Sequence, residues 1–539
     1  MKKFLLPLGT AFLASAPRWA QCETVRITTD GETSVRFGNA VACDGEWVVV
    51  GDFQDDTFGS LAGAAHVFRK DGLNWFQAGK LTASNATRGS YFSDQAVDIS
   101  GTTIVVGARF GRQVLGGHGG GAAPAPGTKF NPAGTATGTA YVFDLIDGAW
   151  VETARLVSAN PSGGAQFGAS VAIQGDTLLI GAPRSDGGGS VHVFQRTEAT
   201  WTATQVLRAD VPVDSTLFGR FVSISGDRLI VGAPVAPAGP EPDGRAYVFT
   251  RSAGKWTQEA ELVSDGWAVS LDGDTAVIGS RFANRVTVFE RQGLAWPFVA
   301  SLTGNNLRFG FDVAVEGDRI LVGTLEDVEV PHWRSYPGMA FTFQRIAGVW
   351  TETGTLQASD ANPLDQFGCS LALDGGMALI GAPSEGDRGG AAYTFSMEGS
   401  ECATLTTSTG TSTTDARISL AAGGVQIMQL DAGAEQAGRN YWVGGTTSGT
   451  SPGFMLAGLR IPVNPDPYFT ATVAHANQGF FTNNLGLLDD QGRASVTLAL
   501  PPGLDPVLAG MVLNHAYVVF DETLGLTHVS NITSLFLAP

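Results

Sequence analysis

Charged residues are scarce in this 539-residue chain, at 16%, against roughly a quarter in an average soluble domain. Glu, Lys and Arg are too few, and Gly too frequent, for long helices or a coiled coil. Basic residues are the rarer sign. There are 33 Lys+Arg against 51 Asp+Glu, a net charge of −18. A binder of phosphate backbones needs a basic face, so nucleic acid is not an expected partner. The acidic balance suits solubility outside the cell. Cysteine is limited to Cys22, Cys43, Cys369 and Cys402. None has CxxC spacing, which argues against zinc and thioredoxin-type chemistry. HExxH, GxSxG and P-loop motifs are missing, so no catalytic residue, cofactor or metal is expected from local motifs. A site assembled from distant loops needs no such motif, which leaves an enzyme open. No apolar run reaches the roughly 18 residues of a transmembrane helix.

Glycine, by contrast, is abundant, at 71 residues, and 43% of the chain is apolar. That apolar share excludes bulk disorder, and the glycine points to many short strands joined by tight turns. The N-terminus reads as a secretory signal. Met1-Lys2-Lys3 is a basic start and Phe4 to Ala16 an apolar stretch too short to span a bilayer. Residues 1–20 are the expected signal peptide, and the mature protein is expected to be secreted or at the cell surface.

An internal repeat dominates the chain from Phe37 to Phe395. One unit runs from Phe167-Gly168 through Gly175-Asp176 to Gly181-Ala182-Pro183. It recurs at Phe218-Gly219 and Phe367-Gly368, with weaker copies starting at Phe37, near Phe92, at Asp265 and at Phe309. The first repeat glycine falls at Gly45, Gly101, Gly175, Gly226, Gly273, Gly317 and Gly375, and a second comes six residues later each time. A strand ending in Phe comes next. In the first six copies a Trp lies seven residues beyond that Phe, as in Phe194 and Trp201, and a Leu six beyond the Trp, as in Leu207. Each unit therefore reads as four short strands. Gly-Asp between apolar runs marks a two-residue hairpin that needs positive φ. The second Gly and the Pro after it are expected to stop the second strand. The Phe and Trp are expected to pack between neighbouring sheets.

Four strands repeated seven times indicate a β-propeller. The Phe-Gly and Gly-Ala-Pro signatures resemble FG-GAP repeats, which form the seven-bladed propeller of integrin α subunits and of many secreted bacterial proteins. The expected fold is all-β: a seven-bladed propeller over 21–402, a Ser/Thr-rich linker at 403–414 and a small β-sandwich over 415–539, whose strand-like runs include Val425–Leu430, Tyr468–Val473 and Ala516–Phe520. Copy seven lacks its fourth strand, and Glu23 to Thr28 is placed to supply it. Cys402 stands where other copies have Trp, and Cys22 starts the N-terminal strand, so a Cys22–Cys402 disulfide is expected at the closure. Cys43 and Cys369 can equally be bonded or free. In the integrin-type family, calcium-binding copies lengthen the first hairpin into an Asp-rich loop. Here the equivalents are as short as Asp44-Gly45 and Gln174-Gly175, so that function is not carried over.

Loop lengths separate two faces. Hairpins of constant length share one face, and loops and crossings of variable length share the other. Variable loops on a repeat scaffold mark the binding face. The candidates there are Arg109 and Arg112 in the insertion from Arg109 to Thr137, and His332, Trp333, Arg334 and Tyr336 in the insertion from Thr324 to Pro337. Asp52, Asp55 and Asp56 form an acidic group that is either a cation site or a solvated loop. The expected function is a secreted or surface binding protein with a protein or glycan ligand. The alternatives are an extracellular enzyme acting on polysaccharide or lipid, and a structural envelope component.

Overall fold

The computed structural model describes residues 22–29, 36–71, 74–111, 137–160, 162–210, 216–234, 244–304, 308–325, 338–358, 365–384, 389–397, 404–409, 417–448, 454–456, 459–461, 463–509, 511–521, 526–530 and 533–538. Up to Ser396 the described strands fall into repeated four-stranded antiparallel sheets. Six of them occupy residues 41–81, 92–156, 170–207, 221–263, 268–303 and 313–356 in simple sequence order. A seventh joins three strands within 370–396 to the N-terminal strand β1 (Cys22–Ile27). The first strand of each sheet touches the first strand of the next, and the first strand of the seventh returns to that of the first. The sheets thus close a ring of β-propeller type, with their first strands around the axis. No helix among the described residues is long and apolar enough to cross a membrane.

Closure copies the repeat in detail. In each of the first six sheets the third strand runs on past its repeat Phe, and the register with the fourth strand slips at that Phe, as between Val193 and Phe194. Strand β1 pairs antiparallel with Ala391–Ser396 and slips at the same place, opposite Phe395. It therefore acts as a genuine fourth strand. Cys43 and Cys369 are unbonded. Burial pushes both thiols up, Cys369 to about 12, so neither is a reactive thiolate. Cys402, and with it the expected closing bond, lies outside the described residues.

Local chemistry explains the repeat. The first glycine opens the first hairpin with φ between 54° and 59° in every copy, a conformation that disfavours a side chain. The second strand ends one residue beyond the second glycine in the copies that carry Gly-Ala-Pro, at Ala182, Ala233 and Ala382, directly before the Pro, as expected. Gly181, for example, lies inside Thr177–Ala182. A Cβ there would run into the carbonyl of Gly219 in the next sheet, and one on Gly381 would meet that of Gly38. This glycine is therefore required by backbone contact between sheets. The Phe of Phe-Gly packs its ring 5.1–6.3 Å from two third-strand rings of its own repeat, including His66, Tyr141, His192, Tyr247, Phe341 and Tyr393. Trp201 and Phe194 share one core cluster with Val105, Val142 and Leu156 of the preceding sheet, as expected of inter-sheet packing.

At the hairpin end, side chains tie each sheet to the next. The residue before the first glycine accepts a hydrogen bond from that glycine's N–H in the following sheet. Asp44 takes Gly101, Ser100 takes Gly175, Gln174 takes Gly226, and Ser225 takes Gly273. Asp272 takes Gly317, Glu316 takes Gly375, and Asp374 takes Gly45 across the closure. All seven bonds measure 2.6–3.1 Å. Farther out, the Asp after the glycine pairs with an Arg at the end of the third strand. Arg196 meets Asp176 at 2.9 Å, reaches Asp144 of the preceding sheet at 3.0 Å, and lies 5.2 Å over Trp201. Arg251 and Arg345 repeat the arrangement with Asp227 and Trp256 and with Asp318 and Trp350.

Beyond residue 403 two further sheets share one core, built from Met428, Val443, Val496, Leu498, Tyr517 and Leu535 among others. Two expectations fail here. The Ser/Thr-rich segment expected as a linker contains a strand, Thr404–Thr409, paired with Gly424–Asp431. Tyr468 to Val473, expected as a strand, is helical within α1 (Pro467–Ala474). Asp466 caps that helix by accepting from the Phe469 N–H at 2.7 Å, and Pro467 occupies its first turn. These start signals override the β propensity of the Thr and Val beyond them.

Candidate functional site

The variable-loop end of the axis is assembled from single residues contributed by several sheets. In the second sheet the segment Tyr91 to Gln95 turns sharply, with φ of 53°, 68° and 58° at Tyr91, Ser93 and Gln95. This turn buries Asp94 and leaves Gln95 at the surface. Arg109, just past the second strand, pairs with Asp94 at 2.5 Å and lies 5.2 Å over Phe110. Arg220, just before the first strand of the fourth sheet, donates to Gln95 Oε1 at 2.6 Å. That bond skips the third sheet, so these groups face one another across the axis.

Aromatic rings extend the site on both sides. Phe53 stacks on Tyr91 at 5.7 Å, and Tyr91 meets Phe110 edge-on at 5.2 Å. Arg220 lies 4.8 Å over Phe221, which touches Trp267 of the fifth sheet. Arg281 lies 3.3 Å over Trp267 and 4.4 Å over Phe282, and Trp267 also reaches Phe311 of the sixth sheet. Four guanidinium groups gather here. Burial pushes Arg220 down to about 10, and the positive charges of Arg109, Arg281 and Arg184 add to that, while Asp94 opposes it. Asp94 is itself pushed up by burial, against the pull of Arg109 and Arg220. The Nη1 of Arg220 and the Nε of Arg109 are buried with no hydrogen-bond partner among the described residues.

The FG-GAP repeat matches five times, at residues 21–68, 75–123, 150–194, 201–249 and 350–395. The chain carries FG-GAP repeats. No curated protein matches it. No FG-GAP match falls on residues 250–349, which hold the fifth sheet and most of the sixth, where the signatures are weakest. In the fifth, Asp265 replaces the Phe, and its carboxylate accepts from Ser280, which replaces the Ala of Gly-Ala-Pro, at 2.8 Å. FG-GAP repeats are associated with adhesion and binding, and proteins that carry them are commonly extracellular or surface-exposed.

Of the residues singled out in the sequence, Arg109 belongs to this FG-GAP ring mouth. Arg112, His332, Trp333, Arg334 and Tyr336 lie outside the described residues. The acidic group splits. Asp52 and Asp55 are buried beside His66, with their ligand atoms within 4.8 Å of one another, so they are not a solvated loop. Asp56 is exposed and caps a turn by accepting from the Leu61 N–H at 2.8 Å. Lys80 places its ammonium 2.9 Å from Asp55 and, with Thr57, holds that carboxyl below its ordinary range despite burial. A fixed ammonium thus already supplies the positive charge that an ion would bring. Sequence reasoning missed His66 as a member, and it missed Arg184, Arg220, Trp267 and Arg281 at the mouth. Each is a single residue beside a repeat signature, and only the ring brings them together.

Proposed function

We propose that the chain is an extracellular binding protein whose FG-GAP ring presents its variable-loop face to a protein or glycan ligand. One observation carries this reading: the contrast between the ring's two ends. The hairpin end has turns of one length and pairs its repeated charges among themselves. The loop end varies in length and places cationic and aromatic side chains around the axis. On this reading the insertions with Arg112 and with His332, Trp333, Arg334 and Tyr336 supply further ligand contacts, since Trp, Tyr and Arg are frequent binding anchors.

The same reading takes residues 1–20 as a secretion signal and 21–402 as one seven-bladed unit pinned by a Cys22–Cys402 bond. It takes the C-terminal region as a β-sandwich that attaches or spaces the ring. Immobilised full-length protein screened against glycan and extracellular-protein arrays tests the function. Binding should fall when Trp333 and Tyr336 are both changed to Ala and persist in the hairpin-face variant Asp176→Ala. The opposite pattern overturns the proposal. Non-reducing peptide mapping that finds both Cys22 and Cys402 as free thiols removes the closing bond.

A further inference from the structure

We propose that the loop-face end of the axis binds the acidic group of a charged glycan. Arg109, Arg184, Arg220 and Arg281 receive its carboxylate or sulfate, and the adjacent aromatic rings receive its sugar faces. This rests on the reading of the chain as a binding protein and gives it a ligand class.

Charge is the first argument. The chain has 33 basic residues and a net charge of −18, yet Arg109, Arg184 and Arg281, from three other sheets, all act on Arg220 here. Among the described residues, Asp94 is the carboxylate that acts on Arg220. A cluster of cations within an acidic protein focuses anions at that spot. Hydrogen bonding points the same way. A buried donor without an acceptor is costly, and the Nη1 of Arg220 is such a donor among the described residues. An oxyanion supplies the acceptor, and the planar guanidinium fork matches a carboxylate or sulfate in two-point geometry. Burial and neighbouring positive charge already weaken the hold of Arg220 on its proton, and an added anion would offset the neighbouring positive charge.

The aromatic frame selects among anions. Phe282 is 59% exposed beside Arg281, and Phe110 and Tyr91 are half-buried beside Arg109. Aromatic faces next to cations suit a ligand that carries an apolar face next to its charge. A uronic acid or sulfated sugar ring has that form, whereas Asp and Glu side chains of a peptide present their acid on a narrow stem. Several arginines spread over four sheets also suit a polymer with recurring acidic groups.

The test is calorimetry of the full-length protein with polygalacturonate, chondroitin sulfate, neutral dextran and poly-L-glutamate, alongside Arg220→Gln and Arg184→Gln variants. Arg184 is exposed, so its variant keeps the experiment decisive if Arg220→Gln does not fold. At least one acidic polysaccharide should bind and dextran should not. The polygalacturonate and chondroitin sulfate arms separate carboxylate from sulfate. Affinity should fall about tenfold in Arg220→Gln and about threefold in Arg184→Gln. Equal binding of dextran, preference for polyglutamate, no acidic polysaccharide bound, or unchanged affinity in both variants each overturn the proposal. A neutral glycan or a protein found by the arrays and mapped to the loop face would leave the binding reading standing and remove this one alone.

Discussion

The two ends of the ring axis use polar side chains in opposite ways. At the hairpin end, four carboxylates, two hydroxyls and one amide each accept the N–H of a glycine in the next sheet. Just inside them, Asp98 accepts from Ile99 and Ile173, and Asp312 from Val313 and Leu371. Ser223 and Ser270 do the same work toward Leu271 and Val315. Every one of these groups is committed to a neighbouring backbone. At the loop end Arg109, Arg184 and Arg281 lie near Arg220, and Arg109, Arg220 and Arg281 lie over aromatic rings. An end whose polar groups are spent on internal bonds holds the ring together. An end that gathers cationic and aromatic side chains around the axis is placed to meet something else.

That contrast can be broken at several points. The largest expected effect is at the shared scaffold. Gly181→Val sets a side chain against the Gly219 carbonyl and should cost about 3 kcal/mol or more, read from the urea midpoint. A loss under about 1 kcal/mol would show that the sheets can part there without harm. Next is the pH response of the inner carboxyls. Burial pushes Asp98 and Asp312 up to about 7 against their backbone donors, whereas in the unfolded chain they titrate near 4. The folded state therefore holds these protons more tightly. Their stabilisation is complete below about pH 4 and is lost as pH rises through 7. Asp98→Ser, which copies Ser223 and Ser270, should flatten the decline in stability between pH 5 and 8. An unchanged slope would mean that Asp98 is not the titrating group.

A smaller effect is expected at the closure. Asp374→Ala removes the acceptor for the Gly45 N–H and should cost about 1 kcal/mol in thermal or chemical denaturation. Arg184→Gln, at the loop end, should change stability by less than about 0.5 kcal/mol. If Arg184→Gln proves as damaging as Asp374→Ala, the loop end is scaffold too, and the division between the two ends fails.

The scaffold was largely legible in the sequence because it repeats. Seven glycine pairs, the repeat Phe and the trailing Trp located the sheets, and the orphaned strand at the N-terminus announced closure. The reason for the second glycine was not legible, since a contact with the next sheet leaves no local trace. The region after residue 403 has no repeat, so propensity had to serve alone. It misread Tyr468 to Val473, where the cap at Asp466 decides. The site was legible only in Arg109, which drew notice through its insertion. Arg220 and Arg281 sit beside signatures that look like scaffold, and the fifth copy, whose motif departs furthest, contributes both Trp267 and Arg281.

Strand β1 has a consequence for how the molecule forms. It pairs Cys22 with Ser396 and Ile27 with Ala392, so one sheet joins the two extremes of the ring-forming chain. The entropy of bringing distant segments together rises with the length between them, and non-local pairings slow folding. The six sheets built from consecutive strands can assemble in the order of synthesis, whereas the seventh must wait for both ends. Folding therefore finishes at a single seam. An opened seam exposes the edge of Ala391–Ser396 to whatever strand arrives first, including the N-terminal strand of another copy.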